Sequence, residues 1–141
     1  MKDINSSLMR AYYEIIDSLN IPVYEGQEPD DIKDKIYCVI SDVINSERST
    51  DNSDDVQTTI QLTIHSWEHK YNNSKQLNQN ADLILHNIKP NSNSVIDLSS
   101  YGLQMMNLLL QTDRTERYGE IDGRVYISRI LIFKQDIFVI S

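Results

Sequence analysis

The sequence predicts an α+β fold in which a mostly antiparallel β-sheet carries two amphipathic helices and long polar loops. Residues 56–67 alternate between apolar and polar side chains, which is typical of a strand with one face in a core. Apolar residues recur at three- and four-residue spacing over residues 4–19 and 77–88, as in helices that bury one face. The length of 141 residues and the ordinary composition fit one domain over residues 1–141.

The first half of the chain is predicted to place a helix before two strands. Pro22 ends the first helix, because proline cannot continue it, and a short extended piece follows. An acidic loop leads to a second strand at residues 36–41, which is apolar on both faces and therefore central or covered on both sides. Residues 45–55 contain no apolar side chain, and we expect them to form a long loop into the alternating strand.

The second half is predicted to hold the other helix and the remaining strands. Ser74 is a suitable N-cap for this helix, and Pro90 stops it. Residues 103–111 fit either a strand or a buried helical turn, and the strand is preferred. The other predicted elements are a short strand at 95–98, a charged connection at 113–122, and strands at 125–133 and 137–140.

The net charge of −8 is concentrated in the first two-fifths of the chain. Residues 1–55 hold 13 acidic and 5 basic side chains, whereas residues 56–141 hold 8 of each. An acidic surface argues against tight binding of nucleic-acid phosphates. The sequence has no apolar signal core and no apolar run of membrane-spanning length, so we expect synthesis in a cytoplasm and no membrane partner.

The segment from His65 to His69 matches the H-x-x-E-H signature of a family of zinc proteases. That signature requires a helix, where both imidazoles reach one ion, but His65 ends a strand-like run. In an extended chain the two histidines would stand roughly 13 Å apart. Cys38 lies in an apolar strand and should be inert, and no glycine-rich phosphate loop is present. We therefore predict no enzyme activity, catalytic residue, metal or cofactor.

Two charged segments are the candidate contact sites. The arginines of residues 113–129 alternate with acidic residues, so this region fits either a solvated, internally paired loop or a contact surface for a partner of complementary charge. The candidate assembly-contact residues are Arg48, Asp51, Asp54 and Asp55 in the first segment and Arg114, Glu116 and Arg117 in the second.

The order of elements resembles a known family. A leading helix runs into Ile21-Pro22-Val23-Tyr24, an acidic loop and the strand Ile36-Tyr37-Cys38-Val39-Ile40-Ser41. The alternating strand ends in Ile64-His65-Ser66-Trp67, and a helix and a late strand around Gly123-Arg124-Val125-Tyr126-Ile127 follow. Over nearly the whole chain this pattern is similar to the tail-completion, or tail-terminator, proteins of long-tailed bacteriophages.

The resemblance implies a structural subunit of the virion, assembled in the cytoplasm of the host bacterium. Such subunits form a homo-oligomeric ring, usually a hexamer, that caps the tail tube, ends its polymerisation and joins tail to head. The implied partners are other copies of the chain, the tail tube protein and head-connector proteins. DNA would pass through the lumen without specific binding, and the acidic half of the chain could line that channel.

The polar face of the alternating strand also fits an assembling subunit. Its uncharged row of Gln57, Thr59, Gln61 and Thr63 would be wet in the free subunit and covered by a neighbour in an assembly. The alternative function is a stand-alone acidic α+β interaction or regulatory domain of bacterial or prophage origin.

Overall fold

A computed structural model of the protein describes residues 4–26, 36–47, 55–69, 73–121 and 124–140. It confirms the α+β class, with two helices and a mostly antiparallel sheet. Neither helix in these ranges is long and apolar enough to cross a membrane. In chain order the elements are α1 (Ile4–Asp17), β1 (Val23–Glu25), β2 (Ile36–Glu47), β3 (Asp55–His69), α2 (Asn73–Ile88), a 3-10 turn (Ser99–Tyr101), β4 (Leu103–Ile121) and β5 (Arg124–Val139).

The five described strands form one sheet in the order β1-β2-β3-β5-β4. Only β1 and β2 pair in parallel, and every other pair is antiparallel. The alternating strand of the sequence is β3, which lies at the centre between β2 and β5. The end strand β4 joins the sheet through a long hairpin with β5.

Both helices pack against the same face of the sheet and share one hydrophobic core with it. Even-numbered residues of β3 such as Ile60, Leu62 and Ile64 point into this core, as the alternation predicts, because successive strand residues face opposite sides. The helix residues that fill the core recur at three- and four-residue spacing: Leu8, Ala11, Tyr12 and Ile16 from α1, and Leu77, Ala81, Ile84 and Ile88 from α2.

The charged connection predicted at residues 113–122 is wrong, because residues 113–121 continue β4. Asp113 pairs with Leu131 and Arg117 with Ile127, so the ladder extends well into the charged segment. Charged side chains fit there because the strand lies at the edge of the sheet, where side chains on either face can reach water. The loop predicted at 45–55 is also shorter, since β2 runs to Glu47 and β3 starts at Asp55. Residues 48–54 lie outside the described residues.

Two further strand predictions differ from the structure. Residues 95–98 form no strand; the Ile96 amide donates to the Met105 sulfur at 3.3 Å, and the side chains of Ile96 and Leu98 are buried. The strands predicted at 125–133 and 137–140 are one strand, β5. Gln135 and Asp136 lie between the two predicted strands, and both side chains are buried: Gln135 donates to Thr58 of β3, and Asp136 accepts from Asn107 of β4. Residues 103–111 form a strand, as predicted.

Candidate assembly surface

The sheet has an open face, which we define as the face opposite α1 and α2. Strand register assigns the side chains to it, because directly paired residues share a face. No described helix covers this face, since both helices pack on the other one. Its described side chains, ordered by strand, are Tyr24 of β1; Tyr37, Val39, Ser41 and Ile44 of β2; Gln57, Thr59, Gln61, Thr63 and His65 of β3; Tyr126, Ser128, Ile130, Ile132, Lys134, Asp136 and Phe138 of β5; and Gln104, Asn107, Leu109, Thr112, Arg114 and Glu116 of β4.

One end of the open face carries a stack of three rings. The His65 imidazole lies between Tyr37, at a centroid distance of 5.0 Å, and Tyr126, at 5.5 Å. The hydroxyls of Tyr126 and Ser128 both lie within hydrogen-bond distance of His65 Nδ1, the latter at 3.0 Å. Nδ1 can accept from these hydroxyls when Nε2 carries the ring proton. The stack makes this end of the face aromatic, as in many protein interfaces.

The other end of the open face exposes large apolar side chains. Ile44 of β2 is 62% exposed and Leu109 of β4 is 55% exposed. They belong to one row across the sheet, with Thr59 and Lys134 between them. The register of β2 shifts between Ser41 and Ile44. The residue inserted there turns the Ile44 side chain onto the open face, where it lies beside Thr59. Exposed apolar groups combined with polar ones are suited to contact with another protein.

The charged part of β4 is organised by ion pairs. Arg114 and Glu116 lie two residues apart on the open face, with Nε and Oε1 at 3.1 Å. On the helix face, Arg129 of β5 donates to both carboxylate oxygens of Asp113, at 2.9 and 2.8 Å. Its guanidinium also donates to Asn78 of α2. The hydrogen bond from Arg129 lowers the pKa of Asp113, and the same bond raises the pKa of Arg129. Arg129 therefore joins the hairpin to α2.

Of the candidate contact residues in the first charged segment, only Asp55 belongs to the described part of the chain, and it lies far from those of the second segment. Arg48, Asp51 and Asp54 lie outside the described residues. Asp55 begins β3, whereas Arg114 is aligned across the sheet with Thr63 of β3, because both residues pair with Ile130 of β5. Asp55 and Thr63 are eight residues apart, roughly 27 Å along the strand. Arg114, Glu116 and Arg117 lie close together on β4, with Arg117 on the helix face. Their role as contacts stays a prediction.

The polar row of β3 lies on the open face, as predicted, but one of its side chains is buried. Thr63 is only 9% exposed, because it sits between Val39 and Ile130 in the cross-strand row. Sequence reasoning missed this apolar component and the ring stack. The apolar residues on both faces of β2 were the indication in the sequence. They predicted a strand that is central or covered on both sides. Tyr37 and Val39 are instead buried within the open face itself.

The chemical candidates have geometries that do not resemble a catalytic site. The Cys38 thiol is fully buried, which raises its pKa to about 12. His65 and His69 both lie in β3, so the backbone is extended over the H-x-x-E-H match, as the alternation predicts. Among the described residues, no three histidine, cysteine or acidic side chains are grouped to hold a metal ion.

Comparison with known proteins gives a likeness of fold. No protein-family model matches the chain, and no curated protein matches its sequence. Among solved structures, the chain is similar to a chain in the virion of a native gene transfer agent particle, with a TM-score of 0.62 and 12% sequence identity. The alignment covers 98% of this chain and 99% of that one. The two chains therefore share a fold over essentially their whole lengths.

Proposed function

We propose that this protein is a structural subunit of a phage-like particle and forms a ring that caps the tail tube and joins it to the head. The observation that carries the proposal is the end-to-end match with a chain of a gene transfer agent virion. The resemblance of the sequence to tail-completion proteins supports the finer role. In this proposal the protein has no catalytic activity, and its partners are its own copies, the tail tube protein and head-connector proteins.

The open face supports an assembling subunit. It combines the ring stack at one end with the exposed apolar side chains of Ile44 and Leu109 at the other. In the proposed ring, this face contacts neighbouring copies of the chain. The acidic composition of residues 1–55 suits a subunit that encloses a DNA channel, where like charge lets DNA pass without binding.

Imaging tests the ring directly. The purified full-length chain, alone and mixed with the tail tube protein of the same particle, is examined by native mass spectrometry and negative-stain electron microscopy. We expect rings of about six subunits, located at tube ends in the mixture, and tubes that stop growing once capped. A chain that forms no ring and leaves tube growth unchanged would contradict the proposal and favour the stand-alone interaction domain.

A matched pair of variants tests the open face. Ile44→Asp places a charge on the open face, whereas Leu83→Asp makes the same type of change at an apolar side chain of α2 that is 42% exposed. We expect Ile44→Asp to weaken ring formation at least roughly tenfold, since a desolvated, unpaired charge opposes the contact, and Leu83→Asp to leave it unchanged. Equal effects of the two variants would exclude the open face as the contact.

A further inference from the structure

The far edge of β4 contains a regular stretch that could accept another strand. Among the described residues, β4 is the last strand of the sheet and pairs only with β5. Register shifts interrupt the ladder between Leu110 and Thr112 and again between Arg117 and Glu120. Between them, residues 112–117 pair with β5 without interruption. An unpaired, regular edge is a template for pairing with another chain.

The charges on this stretch alternate along each face. Arg114 and Glu116 point to the open face, because they pair with Ile130 and Ser128. Asp113 and Arg117 point to the helix face. Each face thus carries one acidic and one basic side chain, placed symmetrically about Thr115.

We propose that this edge pairs with the same edge of a second copy of the chain, antiparallel and centred on Thr115. In that register Arg114 of one copy lies directly opposite Glu116 of the other, and Asp113 lies opposite Arg117. The two-fold axis repeats both pairs, so four oppositely charged pairs form. Directly opposed charges of opposite sign stabilise a strand pair, and the two sheets become one.

The charges also exclude the neighbouring registers. A continuous sheet with both helix layers on the same side requires shifts that keep paired residues on the same face. The nearest such shift in one direction places Arg114 opposite Arg114 of the second copy. The nearest shift in the other direction places Glu116 opposite Glu116. Like charges directly opposite each other are unfavourable, so a single register is selected.

The described ion pairs prepare both faces for this contact. Arg114 and Glu116 are already 3.1 Å apart within one chain, so two copies would place four charges of alternating sign around the two-fold axis. Asp113 is held by two hydrogen bonds from Arg129, which fixes its carboxylate before a second arginine approaches. Fixed side chains lose less conformational entropy on association than mobile ones.

The contact is independent of the proposed ring. An isologous contact closes on itself and makes a dimer, whereas a ring requires head-to-tail contacts between different surfaces. Pairing of two β4 edges covers an edge that could otherwise template uncontrolled association of the free subunit. A dimer without rings would support the pairing of β4 edges and contradict the proposed function. Rings without this dimer would support the proposed function and contradict the pairing of β4 edges.

Cysteine cross-linking tests the register. Thr115→Cys places the two thiols directly opposite each other on the two-fold axis, and we expect covalent dimers under mild oxidation. The matched control is Thr112→Cys, on the same strand, where the two thiols would be roughly 20 Å apart. The native Cys38 is buried and does not compete. Absence of a Thr115 cross-link in the folded protein, or equal cross-linking at residue 112, would overturn the proposal.

Charge exchange tests the recognition between copies. Sedimentation equilibrium measures the dimer dissociation constant of Arg114→Glu, of Glu116→Arg and of the double variant. We expect each single variant to weaken dimerisation roughly tenfold or more and the double variant to restore it. Lys75→Glu makes the same charge change as Arg114→Glu at an exposed residue of α2, and it should leave the dimer dissociation constant nearly unchanged. A strictly monomeric wild type, a double variant that stays monomeric, or an equal effect of Lys75→Glu would overturn the proposal.

Discussion

At the scale of single residues, the core contains a polar network that connects three elements. The hydroxyl of Tyr12 in α1 donates to the side-chain oxygen Oε1 of Gln135 in β5 at 2.8 Å. The Gln135 amide in turn donates to the Thr58 hydroxyl of β3 at 2.6 Å and to the Thr58 carbonyl at 3.2 Å. All three side chains are buried, so each bond satisfies a group that water cannot reach. Burial also raises the pKa of Tyr12 well above its usual value.

Removal of the Tyr12 hydroxyl should therefore destabilise the protein. Tyr12→Phe leaves the Gln135 oxygen buried without its donor, and we expect the free energy of unfolding to fall by about 1–3 kcal/mol. The neighbouring Tyr13→Phe removes the same atom from a partly exposed ring and should change it by less than about 0.5 kcal/mol. Urea denaturation measures both, and equal losses would show that the buried hydrogen bond contributes nothing specific.

The Asp113–Arg129 pair should make stability depend on pH in acid. The hydrogen bond from Arg129 lowers the pKa of Asp113 below its unfolded value of 3.8. Its stabilisation is therefore fully present above that value and is lost as the pH falls through the lower, folded value. Asp113→Asn should destabilise the protein at about pH 6 by roughly 1 kcal/mol, since the pair is partly exposed, and much less near about pH 2. A difference that is independent of pH would contradict this account.

At the scale of elements, β3 separates core and open face along its length. Leu62→Ala should cost roughly 2–5 kcal/mol, because Leu62 is completely buried against the helices and its truncation leaves a cavity. Thr59→Ala, on the open face of the same strand, should cost less than about 1 kcal/mol in the free subunit. Equal effects on the urea midpoint would mean that the assignment of the two faces is wrong. Thr63 is the poorer control because it is nearly buried.

The element that sequence reasoning handled least well is β4. Its charged half was predicted to be a connection because charges and polar residues usually mark loops. The deciding interaction is the ladder with β5, in which Asp113 pairs with Leu131 and Arg117 with Ile127, and the charged half of β4 carries no apolar alternation that would reveal it. The strand predicted at residues 95–98 is wrong for a different reason. Ile96 and Leu98 belong to the core, but the Ile96 amide donates to the side-chain sulfur of Met105 instead of to a strand backbone.

At the scale of the whole molecule, local periodicity was enough to predict the fold class. The two helices and β3 each bury one face, so their spacing alone revealed them. The candidate surface was only partly predictable. The polar row of β3 was found from alternation, whereas the stack of Tyr37, His65 and Tyr126 depends on three strands that only the folded sheet places side by side. The separation of Asp55 from Arg114 likewise follows from the register.

We propose that this chain closes a tail tube as a ring of its own copies. Negative-stain electron microscopy of the full-length chain mixed with the tail tube protein of the same particle is the decisive experiment. We expect rings of about six subunits on the tube ends, which are lost in Ile44→Asp and retained in Leu83→Asp. Bare tube ends, together with a chain that never exceeds a dimer in native mass spectrometry, would contradict it.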